Sequence, residues 1–245
     1  MNDKVRRLPS RGRIRFDIRK DSVALADAAA AEAKEVLGAA IEATGAATFV
    51  ATGGSTPGPI YDRLSQADLP WDKVTITLSD ERWVDPASPD SNARMVRERL
   101  LQGPAAAARF LPLKGDAATP EEDANAAAGW LAALPRPIDL VFLGMGDDGH
   151  IASLFPHSPA LAQGLDDETA ALCIAVPCGG DRAPPQPRLT LTLPLLKSAR
   201  HIVLLFAGRR KFDVLEAALA ADDPYLYPVR ALFGAPAGVH VLCAS

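Results

Sequence analysis

A chain of 245 residues, 48% hydrophobic and 23% charged, is long enough to bury a large core without disulfide or metal staples. Its net charge of −4 excludes a global basic field that recruits nucleic acid, so an anionic ligand has to be held by local cations. No apolar run approaches the roughly 20 residues that span a bilayer and no signal-peptide core is present, while Cys173, Cys178 and Cys243 lack zinc-type spacing, so a soluble cytoplasmic protein with reduced thiols is expected.

The first twenty residues carry Lys4, Arg6, Arg7, Arg11, Arg13, Arg15, Arg19 and Lys20. Ile14, Phe16 and Ile18 alternate with charged neighbours, which is the period of a half-buried strand rather than of a nucleic-acid arm or a helical transit peptide. Residues 1–12 are therefore expected to be a flexible basic tail running into an edge strand. An Ala-rich helix follows over 22–44, with Asp21 or Ser22 as N-cap and Gly45 as terminator. Further strands are expected at 46–51 and 74–80, with a helix through Ile60–Leu64 between them. A helix capped by Ser91 over 91–101, a strand at 109–114 and a helix over 119–134 opening on Pro120 come next. IDLVFLGMG (138–146) is the most continuous apolar strand. The remaining strands are 172–176, 188–196, 201–208 and 239–243, with a helix over 209–221. Cys173 sits in an apolar run and reads as core. The Pro-rich stretch 179–188 lies between strands, and its residues 179–187 read as a loop over the site.

Strands alternating with helices along the whole chain, without an internal repeat, imply one α/β domain over 1–245. The expected form is a three-layer α/β/α Rossmann-like fold with a mostly parallel central sheet. Ligands in such sheets bind beyond the carboxyl ends of the strands. The polar, Gly-rich segments do collect there. GGSTPG follows ATFVAT, SDERW follows VTITL, GDDGH follows LVFLGM, and GRRK follows HIVLLFA.

GGSTPG (53–58) has glycines that admit an anion to the backbone and hydroxyls on Ser55 and Thr56 that can donate to phosphate. A tight turn with an N-cap fits the segment equally well, and neither Walker A nor GxGxxG spacing is present. In SDERW, Asp80 and Arg82 share a strand face and can act together, or form a plain surface ion pair, while one of Asp80, Glu81 and Arg82 is expected on the surface. The loop that follows, VDPASPDSN, ends in Asn92 and has the turn residues of a substrate-covering segment. GMGDDGH is the strongest local signal. Imidazole titrates near neutrality, and Asp148, two residues away, can fix the tautomer of His150 for general-base work; capping of the next helix is the alternative. A metal would have to draw on His150, His157, Asp147 or Asp148, which fit no common ligand spacing. Three cations at the start of the 209–221 helix oppose its dipole, so Lys211 is read as an anion partner and Arg209 and Arg210 as solvated. Arg188 is a further candidate cation. These features imply an enzyme acting on a small anionic metabolite.

The segments ATGGSTPGPIYDRL, LSDERWVDPASPDSNARM, LVFLGMGDDGHIASLFPHS and RLTLTLPLLKSARHIVLLFAGRRK, with a degenerate YPVRALF near the end, are similar in order and spacing to the 6-phosphogluconolactonase family. That family shares its fold with glucosamine-6-phosphate deaminases. The resemblance implies hydrolysis of 6-phospho-D-glucono-1,5-lactone to 6-phosphogluconate, the second step of the oxidative pentose phosphate pathway. It implies no metal and no organic cofactor. His150 would activate water and Asp148 would orient it. Gly53, Gly54, Ser55, Thr56, Arg82 and Lys211 would bind substrate, as would Asp80, Asn92 and Arg188. The expected partner is a small sugar-phosphate lactone, with no nucleic acid and no membrane, and the chain is expected to be a monomer or weak homodimer.

Two other readings compete. Deaminases of this fold resemble DGHIGFNEP after the histidine, whereas this chain reads DGHIASLFP and lacks the Asn–Glu pair. A non-catalytic sugar-phosphate sensor could dispense with the histidine, but His150 and Asp148 are both present and no DNA-binding segment is attached.

Overall fold

A computed structural model describes residues 14–178 and 184–244. The expected basic tail and residues 179–183 of the Pro-rich loop lie outside the described residues. In chain order the first elements are β1 (Ile14–Arg19), α1 (Ser22–Thr44), β2 (Ala47–Ala51), α2 (Gly58–Leu64), β3 (Val74–Leu78) and β4 (Asp80–Arg82). They continue with α3 (Asn92–Arg99), β5 (Arg109–Phe110), α4 (Pro120–Ala132), β6 (Leu140–Gly144), α5 (Leu161–Leu165) and β7 (Cys173–Val176). The last are β8 (Arg188–Leu191), α6 (Leu193–Lys197), β9 (His201–Ala207), α7 (Arg209–Ala221), α8 (Val229–Leu232) and β10 (Val239–Ala244).

Local chemistry explains the long helices. Asp21 Oδ1 accepts from Ala24 N at 2.7 Å and caps α1, which ends where Gly45 turns left-handed at φ 83°. Leu25, Ala29, Ala33 and Leu37 recur on its buried face. Ser91 caps α3, and Thr119 caps α4 with Pro120 and three acids in the first turn.

Seven strands form the central sheet in the order β1-β10-β9-β6-β2-β3-β5, and every pairing in it is parallel. Strands covered on both faces have to be apolar throughout, and all five residues of β2 are buried. Phe49 of β2 and Phe142 of β6 meet edge to face, with ring centroids 5.1 Å apart, at the centre of the hydrophobic core. At the sheet's edge, Ile14 and Phe16 are partly buried and Arg15 is exposed as the alternation predicts, but the pattern fails beyond Phe16, where Ile18 is 43% exposed between partly buried Asp17 and Arg19. Cys173 is buried, and burial pushes its thiol up to about 12, as suits an inert core residue.

The topology locates the crevice. From β2 the chain winds one way to β3 and β5; from β6 it winds the other way to β9 and β10. The winding reverses between neighbouring β2 and β6, and loops leaving a switch point diverge to open a cleft. Those two loops are GGSTPG and GMGDDGH.

Three expectations need correction. The strand expected over 74–80 breaks at Ser79. β3 stays in the central sheet, while β4 joins a separate three-stranded antiparallel sheet of order β4-β8-β7. The strand expected over 188–196 ends at Leu191, and α6 begins at Leu193 with Pro194 in its first turn, where a missing N–H costs nothing. The strand expected over 109–114 is only Arg109–Phe110, at the far edge of the sheet. Among the described residues no helix is long and apolar enough to cross a membrane.

Candidate active site

The loops beyond β2, β3, β6 and β9 enclose a cleft of about 260 Å³. Gly53, Gly54, Ser55, Thr56, Asp80, Arg82, Asn92, His150, Arg188 and Lys211 all line it, and Asp148 stands directly behind His150. The residues expected from sequence to form the site are therefore brought together.

The loop after β6 folds back on itself. Gly146 N donates to His150 O at 2.9 Å, and short bridges join Met145 to Ile151 and Ile151 to Leu154. Gly146 cannot be larger, because a Cβ there would lie 2.2 Å from the His150 ring. His150 Nδ1 and Asp148 Oδ1 are 2.6 Å apart, and the same oxygen accepts from His150 N at 3.1 Å. Burial pushes the Asp148 carboxyl up, but the hydrogen bonds and charge of His150 outweigh it and hold it below the usual carboxylate range. An ionised Asp148 accepts the proton on Nδ1 and leaves Nε2 as the basic nitrogen. The YPVRALF segment braces this loop: Val229 N donates to Gly149 O at 2.9 Å, and Tyr227 packs against Gly149.

Across the cleft, β4 and β8 place Arg82 directly opposite Arg188. Like charges in that register repel, and both side chains border the cleft. Burial pushes the Arg188 guanidinium below its ordinary value; Asp80 opposes that shift and Arg82 adds to it. Arg188 Nε is buried without a hydrogen-bond partner among the described residues. Two opposed guanidiniums, one with an unused donor, make a site for an anion. Lys211, at the start of α7, donates from Nζ to Met145 O and so ties the third cation to the histidine loop. Arg209 and Arg210 are largely exposed beside Asp213 and Asp147, as solvated cations should be. His157 is exposed and does not border the cleft. Among the described residues no group of three or more His, Cys, Asp and Glu side chains converges to hold a metal ion.

Asp80 is buried, with Ser79 Oγ donating to one oxygen at 2.9 Å and Ser153 Oγ to the other at 2.6 Å. Asn92 Nδ2 donates to Asp80 O, and Asn92 Oδ1 lies so close to Gly53 that a Cβ there would approach it to 2.0 Å. That contact is why the first glycine of GGSTPG has no side chain.

None of Asp80, Glu81 and Arg82 is fully exposed, against the expectation that one would be. Glu81 is 1% exposed and accepts four hydrogen bonds, from Arg82 N, Asn92 N, Ala93 N and Ser91 Oγ, at 2.7–3.0 Å. It caps α3 from a distant strand and thereby fixes Asn92 and Arg82 from behind. Sequence reasoning missed it because capping signals are local, and this cap comes from 11–12 residues away. Burial pushes the Glu81 carboxyl up; the four donors pull it back, and it remains above its ordinary value. The native protein then binds more protons than the unfolded chain between the two values, so this contribution to stability declines as pH rises through that window. Glu81→Gln is expected to cost about 1–3 kcal/mol, because its amide faces buried donors. In urea melts the wild-type advantage over this variant should shrink from mildly acid pH towards neutrality. An advantage that grows with pH contradicts the assignment.

The described end of the Pro-rich loop lies beside the arginines. Gln186 Nε2 donates to Asp90 Oδ2 at 2.8 Å, and Trp83 N donates to Pro187 O at 2.9 Å. Arg82 in turn donates to Asp90 O.

An α/β fold with its cleft at the switch point, a histidine–aspartate pair and three converging cations has the form of an enzyme acting on a small anionic molecule. Residues 20–241 match the glucosamine-6-phosphate isomerases/6-phosphogluconolactonase family, and the chain belongs to it. A 6-phosphogluconolactonase of Caulobacter vibrioides is 46% identical over 217 residues, covering 89% of this chain and 90% of that protein. One from Pseudomonas aeruginosa is 44% identical over 211 residues, covering 86% and 87%. The crystal structure of a 6-phosphogluconolactonase from Shewanella baltica superposes with a TM-score of 0.90 at 39% identity, covering 95% of this chain and 98% of that one. A monomeric glucosamine-6-phosphate deaminase superposes with a TM-score of 0.76 at 18% identity and so shares the fold alone.

Proposed function

We propose that this protein hydrolyses 6-phospho-D-glucono-1,5-lactone to 6-phosphogluconate. The observation that carries the reading is the facing of two halves of one cleft. On one side His150 is held by Asp148 as a base; on the other Arg82 and Arg188 oppose each other across β4 and β8. The relatives named 6-phosphogluconolactonase supply the substrate.

The lactone's phosphate is held by the arginines, Lys211 and the hydroxyls of Ser55 and Thr56. Asp80 and Asn92 face its hydroxyl groups. A δ-lactone is already reactive, so holding it beside a positioned base supplies much of what hydrolysis needs, without a covalent nucleophile. His150 Nε2 takes a proton from water as the water adds to the carbonyl carbon. The bond from that carbon to the ring oxygen then breaks, the ring oxygen is protonated, and the product is the open-chain acid. The whole chain works as one cytoplasmic α/β unit, as a monomer or weak homodimer, on a free small molecule, without metal, organic cofactor, membrane or nucleic acid.

The test is lactone hydrolysis coupled to detection of 6-phosphogluconate, with an enzyme-free blank because the lactone opens spontaneously. The expected result is saturable turnover well above the blank. Release of ammonia from glucosamine 6-phosphate, with no gain over the blank on the lactone, reverses the choice between the family's two activities.

A further inference from the structure

We infer that Phe155 is a positioning residue that sets both His150 and Arg188, and so couples the base to the anion site. The inference rests on His150 being the base of the proposed hydrolysis. Phe155 is 8% exposed, and its ring centroid lies 4.3 Å from that of His150 at an interplanar angle of 46°. The Arg188 guanidinium carbon lies 5.7 Å from the centroid of the same ring. One side chain therefore touches groups from both sides of the cleft.

Each neighbour lacks a full set of other restraints. His150 is tied to Asp148 through Nδ1 and backed by Gly146, which leaves the far side of the imidazole to be bounded by another group. The Phe155 ring, tilted 46° to the imidazole at 4.3 Å, is the group that bounds it. Arg188 has a buried Nε without a partner, so this atom does not fix the tilt of its fork. A guanidinium is attracted to an aromatic face, and that attraction favours one seat. Phe155 itself is held firmly. Ser153, two residues before it, is bonded to Asp80 at 2.6 Å and to Thr190 at 3.2 Å, and Ser158 N donates to Phe155 O at 3.2 Å. Ser153 and Phe155 both belong to the ASLFP stretch that follows the histidine. In sequence this stretch only marks a branch of the family; in the fold its serine holds the acid of β4 and its phenylalanine carries the base and an arginine.

The role predicts a joint effect that a plain core residue does not have. Phe155→Leu and Phe155→Met fill much of the volume but offer no aromatic face. Each should lower kcat about 10- to 100-fold through a mis-set base. Each should also raise KM several-fold through Arg188, and Phe155→Tyr should restore both parameters. Steady-state kinetics on the lactone, with melting curves to identify the folded variants, is the experiment; Phe155→Met is read if Phe155→Leu does not fold. Wild-type kcat and KM in the folded aliphatic variants, or a Tyr variant as impaired as they are, overturns the inference. The underlying reading is tested separately in the same assay. A wild type without activity on the lactone, or a fully active His150→Ala, sinks that reading, whereas normal Phe155 variants beside an inactive His150→Ala sink only this inference.

Discussion

His150→Ala is expected to lose about 10²–10⁴-fold in kcat while its far-UV circular dichroism stays that of the wild type. The ring is half-buried at the rim of the cleft, its one hydrogen bond among the described residues runs within its own loop to Asp148, and the backbone bond from Gly146 N to His150 O survives the substitution. Removing it breaks no strand pairing. KM should change little, because Arg82, Arg188 and Lys211, the proposed partners of the anion, stand on other elements. Asp148→Asn keeps the ring but loses the charged acceptor on Nδ1, so its kcat should lie between the two. Near-normal turnover in His150→Ala assigns the base elsewhere.

Arg188→Gln should raise KM for the lactone about 10–100-fold with a smaller change in kcat. A hydrogen bond to a charged partner is worth about 1.5–3 kcal/mol, which is that range of affinity. Inorganic phosphate, as a competitive inhibitor, should weaken in parallel. The same substitution relieves the opposition of Arg82 and Arg188. Without anion, the variant should therefore melt no lower than the wild type, since opposed like charges cost about 0.2–1 kcal/mol. Added phosphate should raise the melting temperature of the wild type more than that of the variant, because a ligand stabilises the state that binds it. A wild-type KM together with a lower melting temperature would make Arg188 a structural residue and leave the anion to Arg82 and Lys211.

Both predictions depend on a division of labour that is partly legible in the chain. Gly-rich and polar segments follow the ends of β2, β3, β6 and β9, and strand ends are where open parallel sheets bind ligands. Asp148 and His150 are two residues apart, so their pairing is a local matter. The helix caps at Asp21 and Ser91 are read from neighbours three residues away. These features need only short-range geometry, and the fold realises them.

Other parts of the site depend on contacts that no local pattern encodes. Ser153 reaches Asp80 across 73 residues of sequence, and Arg188 faces Arg82 only because β8 pairs with β4. That pairing requires the chain to leave the central sheet at Ser79, a break that the apolar run through VTITLSD does not announce. Glu81 looks like a surface acid beside two functional residues, yet the start of α3 docks on it and turns it into a buried acceptor of four hydrogen bonds.

The sequence by itself determined the alternation of strands and helices, the family, and the run from 139 to 156 as a buried strand opening into the loop that carries Asp148 and His150. Hydrophobic period, capping and turn chemistry act over a few residues and leave a local record. The tertiary structure alone decided the switch point between β2 and β6, the second sheet, the opposed arginines, and the contacts of Glu81, Ser153 and Phe155. Strand order and antiparallel register join residues distant along the chain, and their energies exist only once the sheets have formed.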